Sequence, residues 1–316
     1  MWAEASKESI FGQAVLIGTG LIGGSMGFAL KNSGLVHKVL GYDLDTANLH
    51  RALELGAVDQ ALLKNELVPP GTDLLIFATP VRATLKILPE LAGTVSSACL
   101  VTDTGSTKEA VMKAFRSNLP SSEAYVGGHP MAGSEDKGIE AADPALFKDA
   151  IYVLVEEKAS FSWAYHKMRK LILKLGAKPL ALDAQEHDRL VSLVSHLPHM
   201  VAVSLVEAVR KSGEKEDMDK ILALAAGGFR DTTRVALSNP VMWRDICLTN
   251  NDCIKQALLS FRLEIDLLLS ALEDIDDSGA EAEDLFSLLR RAKNFRSQVP
   301  PKKGKTNCPE RKSEAP

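Results

Sequence analysis

The sequence predicts an α/β protein in which a doubly wound, mostly parallel sheet is followed by an all-helical domain. Short apolar runs alternate with helical patterns up to residue 182, which is typical of parallel strands joined by crossover helices. Beyond residue 183 the pattern is helical, without a convincing strand. With 316 residues the chain is long enough for two domains. We therefore expect a sheet domain over residues 1–182, a helical domain over 183–299 and a disordered tail over 300–316.

The first element in chain order is a glycine-rich turn between an apolar run, Ala14–Ile17, and a helical pattern. Gly18 permits a tight turn, Gly20 lets the backbone approach a pyrophosphate, and Gly23 lets helix and strand pack closely. The helix that starts here presents free N–H groups and a positive dipole end to phosphates. The pattern is typical of a Rossmann-type dinucleotide site, whose expected cofactor contacts are Gly18, Gly20, Leu21, Ile22 and Gly23.

Asp43 ends the second strand-like run and indicates which dinucleotide binds. A carboxylate at this position accepts hydrogen bonds from a ribose diol and repels a 2′-phosphate. The nearest basic side chain downstream is Arg51, so no phosphate clamp is evident. We therefore predict NAD rather than NADP. The alternatives are a strand-end turn residue for Asp43 and a helix N-cap for Asp45.

The next elements continue the alternation of strand and helix. Strands are predicted over residues 73–78, 100–103, 125–127, 150–155 and 178–182, with helices over 45–55, 79–91, 106–118 and 161–175. The carboxyl ends of parallel strands share one edge of the sheet, and ligands bind beyond that edge. We therefore expect Thr79 and Pro80 to contact the cofactor, and the segments 104–108 and 127–135 to converge on it.

The helical domain is predicted to contain a long helix over 184–212 with Pro198 as a kink. Further helices are predicted over 220–226, 252–272 and 283–293. The helix over 252–272 is more apolar than one buried face requires. This excess predicts a dimer interface.

Composition and charge narrow the class of protein. The hydrophobic content of 46% and the charged content of 25% are ordinary for a soluble protein, and a net charge of −4 offers no basic surface to nucleic acid. The N-terminus does not read as a signal peptide, and no apolar run reaches membrane-spanning length. The cysteines lack metal-ligand spacing and are expected to be thiols. We expect a cytoplasmic protein that binds neither nucleic acid nor membrane.

His129 is the sharpest catalytic candidate, since a dinucleotide site without a phosphoryl-transfer lysine indicates hydride transfer. It follows two glycines at a strand end and precedes Pro130, which favours an extended backbone. A neutral imidazole there can accept a hydroxyl proton while hydride leaves the same carbon. The alternative is a histidine that only hydrogen-bonds a tight turn.

Ser106 begins the pattern of a capping box that ends at Glu109. We expect its side chain to cap the following helix. Because that position also aims a hydroxyl at the cleft, Ser106 remains a candidate for the active site.

His196 and His199 lie three residues apart and therefore on one face of a helix. No carboxylate or cysteine joins them at a convincing metal-ligand spacing, so we predict no metal site. We expect His196 to contact the substrate or to be a buried histidine. His187 is expected at the surface.

The segment 227–234 interrupts the helical pattern with two glycines and two arginines, Arg230 and Arg234. A guanidinium can bind a carboxylate through two parallel hydrogen bonds. The alternative, an ion pair with Asp231 or Asp245, is expected for one of the two arginines. Residues 243–245 are predicted to begin a helix and to carry two opposite charges next to each other. We expect these charges to be structural rather than catalytic.

Seven motifs together carry a resemblance to a known family: GTGLIGGS, ATPV, TDTGSTK, GGHPMAGSE, SHLPH, GGFRDTTR and NPVMWRDI. In this order, from about Gly18 to Ile246, they make the chain similar to the prephenate/arogenate dehydrogenases of tyrosine biosynthesis. The resemblance implies NAD-dependent oxidative decarboxylation of prephenate and a homodimer formed by the helical domain. We expect neither a chorismate mutase segment before Gly12 nor a regulatory ACT domain.

The resemblance also implies roles for individual residues. By similarity His129 is the base for the 4-hydroxyl of the substrate, and Ser106 orients that hydroxyl and the histidine. His196 resembles a histidine that supports substrate and nicotinamide, and Arg234 matches the arginine that anchors a substrate carboxylate.

Three alternatives stay open on the sequence. Arogenate differs from prephenate only by an amino group in place of the keto oxygen. Another reductase with a helical domain, such as a 3-hydroxyacid dehydrogenase or pyrroline-carboxylate reductase, would rely on a lysine or lack the histidine of the GGHP motif. A non-catalytic NAD sensor would keep the glycine turn and need neither His129 nor Arg234.

Overall fold

The computed structural model describes residues 9–91, 93–133, 136–155, 162–212, 217–273 and 282–300. Within these residues a single sheet contains β1 (Phe11–Ile17), β2 (Val36–Tyr42), β3 (Gln60–Ala61), β4 (Leu74–Phe77), β5 (Leu100–Asp103), β6 (Tyr125–Pro130), β7 (Ile151–Val155) and β8 (Lys178–Leu182). The strand order is β3-β2-β1-β4-β5-β6-β7-β8. Neighbouring strands are parallel except for the β6–β7 pair, which is antiparallel. The predicted doubly wound, mostly parallel sheet is confirmed.

The helices of the sheet region are α1 (Leu21–Ser33), α2 (Thr46–Glu54), α3 (Val81–Leu91), α4 (Glu109–Asn118) and α5 (Trp163–Lys174). Those that follow the sheet are α6 (Ala184–Val191), α7 (Leu197–Ser212), α8 (Met218–Leu224), α9 (Gly227–Thr233), α10 (Pro240–Thr249), α11 (Asn251–Glu273) and α12 (Glu283–Arg296). Local chemistry explains several boundaries. Gly34 ends α1 with a left-handed φ of 66°, and Asn239 caps α10, which has proline at its start.

The core consists of two apolar layers on the two faces of the sheet. Side chains alternate between the faces along each strand, so that Leu16 and Ile76 pack in one layer while Ile17 and Phe77 pack in the other. All four side chains are fully buried. Burial on both faces explains why the central strands read as continuous apolar runs.

The predicted helix over 184–212 is one continuous helical stretch with a wide turn inside it. Ser192–His196 form a π-helical turn between α6 and α7, in which the N–H of Leu197 donates to the carbonyl of Ser192. Pro198 lacks an N–H, and its ring would clash with the carbonyl four residues earlier in a regular helix. A π-turn thus lies directly before the turn that contains Pro198, and the predicted kink at Pro198 itself stays a prediction.

Among the described residues, Ala184–Ser212 is also the stretch that could cross a membrane by length and mean hydropathy alone. The expectation that no segment reaches that size is therefore wrong. Its polar side chains pair within the protein, however: Asp188 bonds backbone amides at the start of α4, and His196 lies beside Asn250. These contacts tie the stretch to the rest of the fold, although only 28% of its apolar window is buried.

The chain divides into two compact units, residues 1–257 and 258–316. The first contains the sheet, α1 to α10 and the start of α11, and the second contains the rest of α11 and α12. The domain boundary expected at residue 182 stays a prediction. The predicted tail, apart from Pro300, and the predicted start of α5 at Phe161 lie outside the described residues.

Candidate active site

The glycine turn after β1 is built so that backbone passes very close to backbone. Gly18 has a φ of +96°, and a Cβ there would lie 2.6 Å from the carbonyl oxygen of Ala78. A Cβ on Gly23 would lie 1.9 Å from the carbonyl oxygen of Gly18. Both positions therefore require glycine. A Cβ on Gly20 would meet no described atom within 4 Å. Packing within the described residues therefore does not require glycine at this position.

The first turn of α1 is open to an anionic ligand. Gly20 is the N-cap, and no side chain of the described residues caps it, so the amides of Leu21, Ile22 and Gly23 face outward without a side-chain acceptor. Thr79 lies against the turn, because its Cγ2 would be 2.9 Å from a Cβ on Gly18. Pro80 follows it directly at the start of α3. Thr79 therefore lies beside the glycine turn and the uncapped start of α1.

Asp43 is held in place by the same loop. Its Oδ2 accepts hydrogen bonds from the N–H of Thr19 at 2.8 Å and from Nδ2 of Asn48 at 3.1 Å. Its Oδ1 accepts from the N–H of Asp45 at 3.0 Å. The Asp45 side chain in turn caps α2, so the N-cap prediction for Asp45 is confirmed. These bonds fix the Asp43 carboxylate at the carboxyl end of β2, beside the glycine turn.

His129 belongs to β6, where its backbone pairs with Val153 of β7. Its Nδ1 lies 2.8 Å from Nε2 of His187, and Nδ1 of His187 lies 2.7 Å from Oδ1 of Asp188. Burial lowers the pKa of His129 well below its usual value, and the neighbouring His187 and Lys108 lower it further. His129 is therefore neutral near pH 7, which is the state a proton acceptor needs.

His187 is fully buried, so its predicted surface position is wrong. It lies in the first turns of α6, a helix whose N-cap is the Asp183 side chain. The sequence of α6 is as polar as that of an exposed helix. Its buried face becomes evident only from the packing of the helix against the end of β6. Burial lowers the pKa of His187, while the hydrogen bond to Asp188 opposes that shift.

Asp188, rather than Ser106, caps α4. Its Oδ1 accepts from the N–H of Lys108 at 2.7 Å and its Oδ2 from the N–H of Glu109 at 2.9 Å. Lys108 occupies the N-cap position of α4. No side chain of the same segment caps the helix there. The predicted capping box is therefore wrong, because a carboxylate from α6 occupies the amides that Ser106 was expected to bind. Ser106 lies half-buried in the loop before α4.

A buried ion pair lies below His129 and was not predicted. The Lys108 ammonium is paired with the Asp103 carboxylate, which also accepts from the Tyr125 hydroxyl at 2.8 Å and from the N–H of Gly128 at 3.2 Å. The signal in the sequence is a lysine placed just before a helix, five residues after an acid that ends a buried strand. The pair fixes the backbone of β6 immediately before His129.

His196 is joined to this group through Asn250. Nδ2 of Asn250 donates to the carbonyl of Asp188 at 2.8 Å and lies 3.2 Å from Nδ1 of His196. His196 is 1% exposed, and burial lowers its pKa to about 4.

His199, the second of the two histidines predicted on one helix face, stacks on Trp243 with ring centroids 3.5 Å apart. Among the described residues, no group of three or more histidines, cysteines or acids is arranged to hold a metal.

The two candidate arginines lie at and just beyond α9, and both are exposed. Arg230 lies within the helix, and Arg234 begins the short 3-10 turn after it. Asp245, expected as a partner for one of them, forms an ion pair with Arg244 at 2.9 Å and approaches Arg82 at 3.8 Å. The prediction that residues 243–245 carry their own charge pair is confirmed, but the predicted helix start there is wrong, because α10 begins at Pro240.

The glycine turn, the carboxylate after β2 and a partly buried, neutral histidine at the end of β6 define a dinucleotide-dependent dehydrogenase. Two family models give the family. The prephenate dehydrogenase nucleotide-binding domain matches residues 26–180, and the prephenate dehydrogenase dimerization domain matches residues 183–291. The chain belongs to the prephenate dehydrogenase family, as its motifs indicate.

Individual relatives agree with the family. A prephenate dehydrogenase of Bacillus subtilis is 38% identical over 287 residues, which cover 90% of this chain and 76% of the relative. A cyclohexadienyl dehydrogenase of Zymomonas mobilis is 32% identical over 269 residues, covering 85% and 91%.

Solved structures extend the likeness to the fold. The prephenate dehydrogenase of Aquifex aeolicus in complex with hydroxyphenyl propionate and NAD+ superposes with a TM-score of 0.83 at 29% identity, covering 91% of this chain and 98% of that one. The arogenate dehydrogenase of Synechocystis superposes with a TM-score of 0.73 at 28% identity, covering 90% and 99%.

Proposed function

We propose that this protein is an NAD-dependent prephenate dehydrogenase that converts prephenate to 4-hydroxyphenylpyruvate, CO2 and NADH in tyrosine biosynthesis. The observation that carries the proposal is His129, a partly buried imidazole of lowered pKa at the sheet edge where the glycine turn begins. Such a group accepts a hydroxyl proton at neutral pH. Membership of the prephenate dehydrogenase family supplies the substrate class.

The residues around the glycine turn fit NAD. The open amides of α1 suit a pyrophosphate, and the space over Gly20 leaves room for it. Asp43, fixed by Thr19 and Asn48, would accept hydrogen bonds from the adenosine ribose. Thr79 and Pro80 would border the cofactor on the side of α3. Bound NAD supplies the hydride acceptor for C4 of the substrate.

His129 would take the proton of the 4-hydroxyl as the hydride leaves C4. The resulting dienone loses its ring carboxylate as CO2, because the electron pair of the broken C–C bond makes the ring aromatic. The negative charge then lies on the C4 oxygen, which takes back the proton that His129 accepted. The protein need not protonate that carbon, so a single base suffices. Ser106, in the loop before α4, would orient the hydroxyl toward the histidine.

Arg234 is the proposed anchor of a substrate carboxylate. The residue is exposed just beyond α9, and an arginine binds a carboxylate through two parallel hydrogen bonds. His196 is proposed to support substrate and nicotinamide. Since its ring is almost fully buried, we expect it to act from beneath the site rather than at its opening.

Arogenate is the second candidate substrate. The similarity to a cyclohexadienyl dehydrogenase and to an arogenate dehydrogenase favours testing it. Purified protein is mixed with prephenate or arogenate and with NAD or NADP, and absorbance at the NADH band is followed. NADH from prephenate with NAD supports the proposal. A strong preference for arogenate would favour the second candidate, and no NADH from either substrate would contradict both.

We further propose a cytoplasmic homodimer formed through the helical region. The family model that matches residues 183–291 is a dimerization domain. In the second compact unit, α11 exposes leucines with a spacing of four residues, Leu259, Leu263 and Leu267, and others beside them. The described cysteines are free thiols, as expected in a reducing compartment. Light scattering of the purified protein tests the dimer, and a monomeric mass at micromolar concentration would contradict it.

A further inference from the structure

We propose that His187 and Asp188 are positioning residues that hold His129 in the tautomer whose Nε2 carries no proton. The inference deepens the proposed function and rests on it, since it concerns the proton acceptor of that reaction. It stands on two short contacts in series: Nδ1 of His129 to Nε2 of His187 at 2.8 Å, and Nδ1 of His187 to Oδ1 of Asp188 at 2.7 Å.

The direction of each hydrogen bond follows from the chemistry of the last group. An ionised carboxylate only accepts, so Nδ1 of His187 must donate to Asp188. In a neutral imidazole the other nitrogen is then an acceptor, so Nε2 of His187 accepts from Nδ1–H of His129. His129 therefore carries its proton on Nδ1. Its Nε2 has a free lone pair, which is the form that can accept a proton.

A doubly protonated His187 would reverse this order and leave Nε2 of His129 protonated. Burial lowers the pKa of His187, and the Lys108 ammonium lowers it further, against the opposing effect of Asp188. His187 is also 0% exposed, so no solvent compensates a charge there. The neutral ring is the favoured state.

The same two hydrogen bonds in series stabilise the positive charge that forms on His129 during the reaction. When Nε2 takes the substrate proton, the ring becomes an imidazolium whose Nδ1–H still donates to His187. Burial, His187, Lys108 and His196 lower the pKa of His129, whereas Asp188 and Asp103 act in the opposite direction on the pKa of the adjoining His187. Asp188, connected through His187, therefore offsets part of the cost of charging the partly buried ring of His129.

The two positioning residues are held rigidly. The Asp188 carboxylate also accepts from two amides of α4, and its carbonyl accepts from Nδ2 of Asn250. Asp188 cannot rotate without uncapping α4, and it fixes the His187 ring by the shared bond. A static scaffold of this kind is what keeps a catalytic group within a productive geometry.

The substitution Asp188→Asn tests the proposal because it keeps the size of the side chain and reverses the hydrogen bonds. With its NH2 group in the place of Oδ1, the amide donates to Nδ1 of His187 and no longer accepts from the N–H of Lys108, while its oxygen still accepts from the N–H of Glu109. His187 must then carry its proton on Nε2 and donate to His129, which moves the His129 proton to Nε2. We expect kcat to fall by about 10²- to 10⁴-fold, the range for general base catalysis, with NAD affinity and prephenate KM unchanged.

The matched control is Asp183→Asn. Asp183 caps α6, the same helix, through a hydrogen bond to the N–H of Glu186, and asparagine is an equally good N-cap. We expect wild-type kcat for this variant. A fall equal to that of Asp188→Asn would show a general sensitivity of α6 and would overturn the proposal.

Nitrogen-15 NMR of the histidine rings provides a readout that does not depend on turnover. Signals of His129 are assigned by their loss in His129→Asn. We expect a protonated Nδ1 and a bare Nε2 in the free wild-type protein, and the reverse in Asp188→Asn. A protonated Nε2 in the wild type would overturn the inference. If the wild type made no NADH, the proposed function would fail while this measurement would still test the tautomer.

A second pair of variants tests the proposal even if Asp188→Asn does not fold. His187→Gln keeps an oxygen that can accept from Nδ1 of His129, whereas His187→Phe removes it. We expect His187→Gln to retain more kcat than His187→Phe, with both variants binding NAD normally. Equal losses in the two variants would contradict a role for the acceptor at this position.

Discussion

Lys108 and Asp103 form an ion pair that solvent does not reach, with side chains 0% and 3% exposed. The Asp103 carboxylate also accepts hydrogen bonds from the Tyr125 hydroxyl and from the N–H of Gly128. The pair therefore ties together β5, the start of α4 and the residue before His129. Burying two charges is costly, and their hydrogen bonds offset that cost only while both partners are present.

Removing one partner should destabilise the fold unequally. Asp103→Ala leaves a buried ammonium without its carboxylate and should cost about 3–5 kcal/mol in the free energy of unfolding. Lys108→Met should cost less, because Asp103 keeps the donors of Gly105, Tyr125 and Gly128. Urea denaturation of both variants measures the order. A larger loss for Lys108→Met would contradict the interpretation that Asp103 is the central acceptor.

Replacing the proposed base should remove turnover and spare cofactor binding. In His129→Asn we expect kcat to fall by about 10²- to 10⁴-fold, because an asparagine amide cannot accept the proton of the hydroxyl. The affinity for NAD, measured by calorimetry, should be unchanged, since the glycine turn is intact. Near-normal turnover would remove His129 from its proposed role.

The proposed substrate anchor should act on binding. Arg234→Ala should raise the KM for prephenate with a smaller effect on kcat, because it removes a bidentate carboxylate contact. Arg230→Ala, on the same helical segment, is the matched control and should leave KM near the wild-type value. If Arg230→Ala raised KM and Arg234→Ala did not, the anchor would be Arg230.

Asp43 should decide between NAD and NADP. Asp43→Ala removes the acceptor for the ribose diol and the charge that repels a 2′-phosphate, so it should weaken NAD and narrow its advantage over NADP. Asp43 also holds Thr19 and Asn48, and Asp43→Asn separates the two effects by keeping an acceptor without the charge. The ratio of kcat/KM for the two cofactors measures the outcome. A wild-type preference for NADP would make the ribose interpretation wrong.

Acid should destabilise the fold through its buried histidines. The pKa of His196 is about 4 in the folded protein and about 6.5 when unfolded, so the unfolded chain binds more protons between these values. Stability is therefore complete above about pH 6.5 and falls as pH approaches 4, by up to about 1.4 kcal/mol per pH unit for this group. His129 and His187 have lowered pKa values and add in the same direction.

Urea denaturation across this pH window measures the slope. His196→Asn cannot titrate and should flatten it, while His37→Asn, at an exposed position on β2, should leave it unchanged. A slope that does not change in His196→Asn would show that the acid sensitivity arises elsewhere.

Much of the fold could be predicted because its signals are local. An apolar run of strand length, a glycine forced to a φ of +96° and an acid after the second strand are each visible within a few residues. The π-turn before Pro198 follows from a missing N–H, which is also a local property. The cofactor loop and His129 were found by these signals, together with the motifs that the family shares.

Only the tertiary structure decided how the site is assembled. His187 reaches His129 across 58 positions in the sequence, and Asp188 caps α4 at Lys108 across 80. Hydrogen bonds of this kind depend on the angle at which α6 packs against the sheet, and no local pattern encodes that angle. The sequence by itself therefore determined a dinucleotide-binding sheet with a histidine at its edge. The packing of α6 decided which groups surround that histidine, because burial and proton position are properties of neighbours distant in the chain.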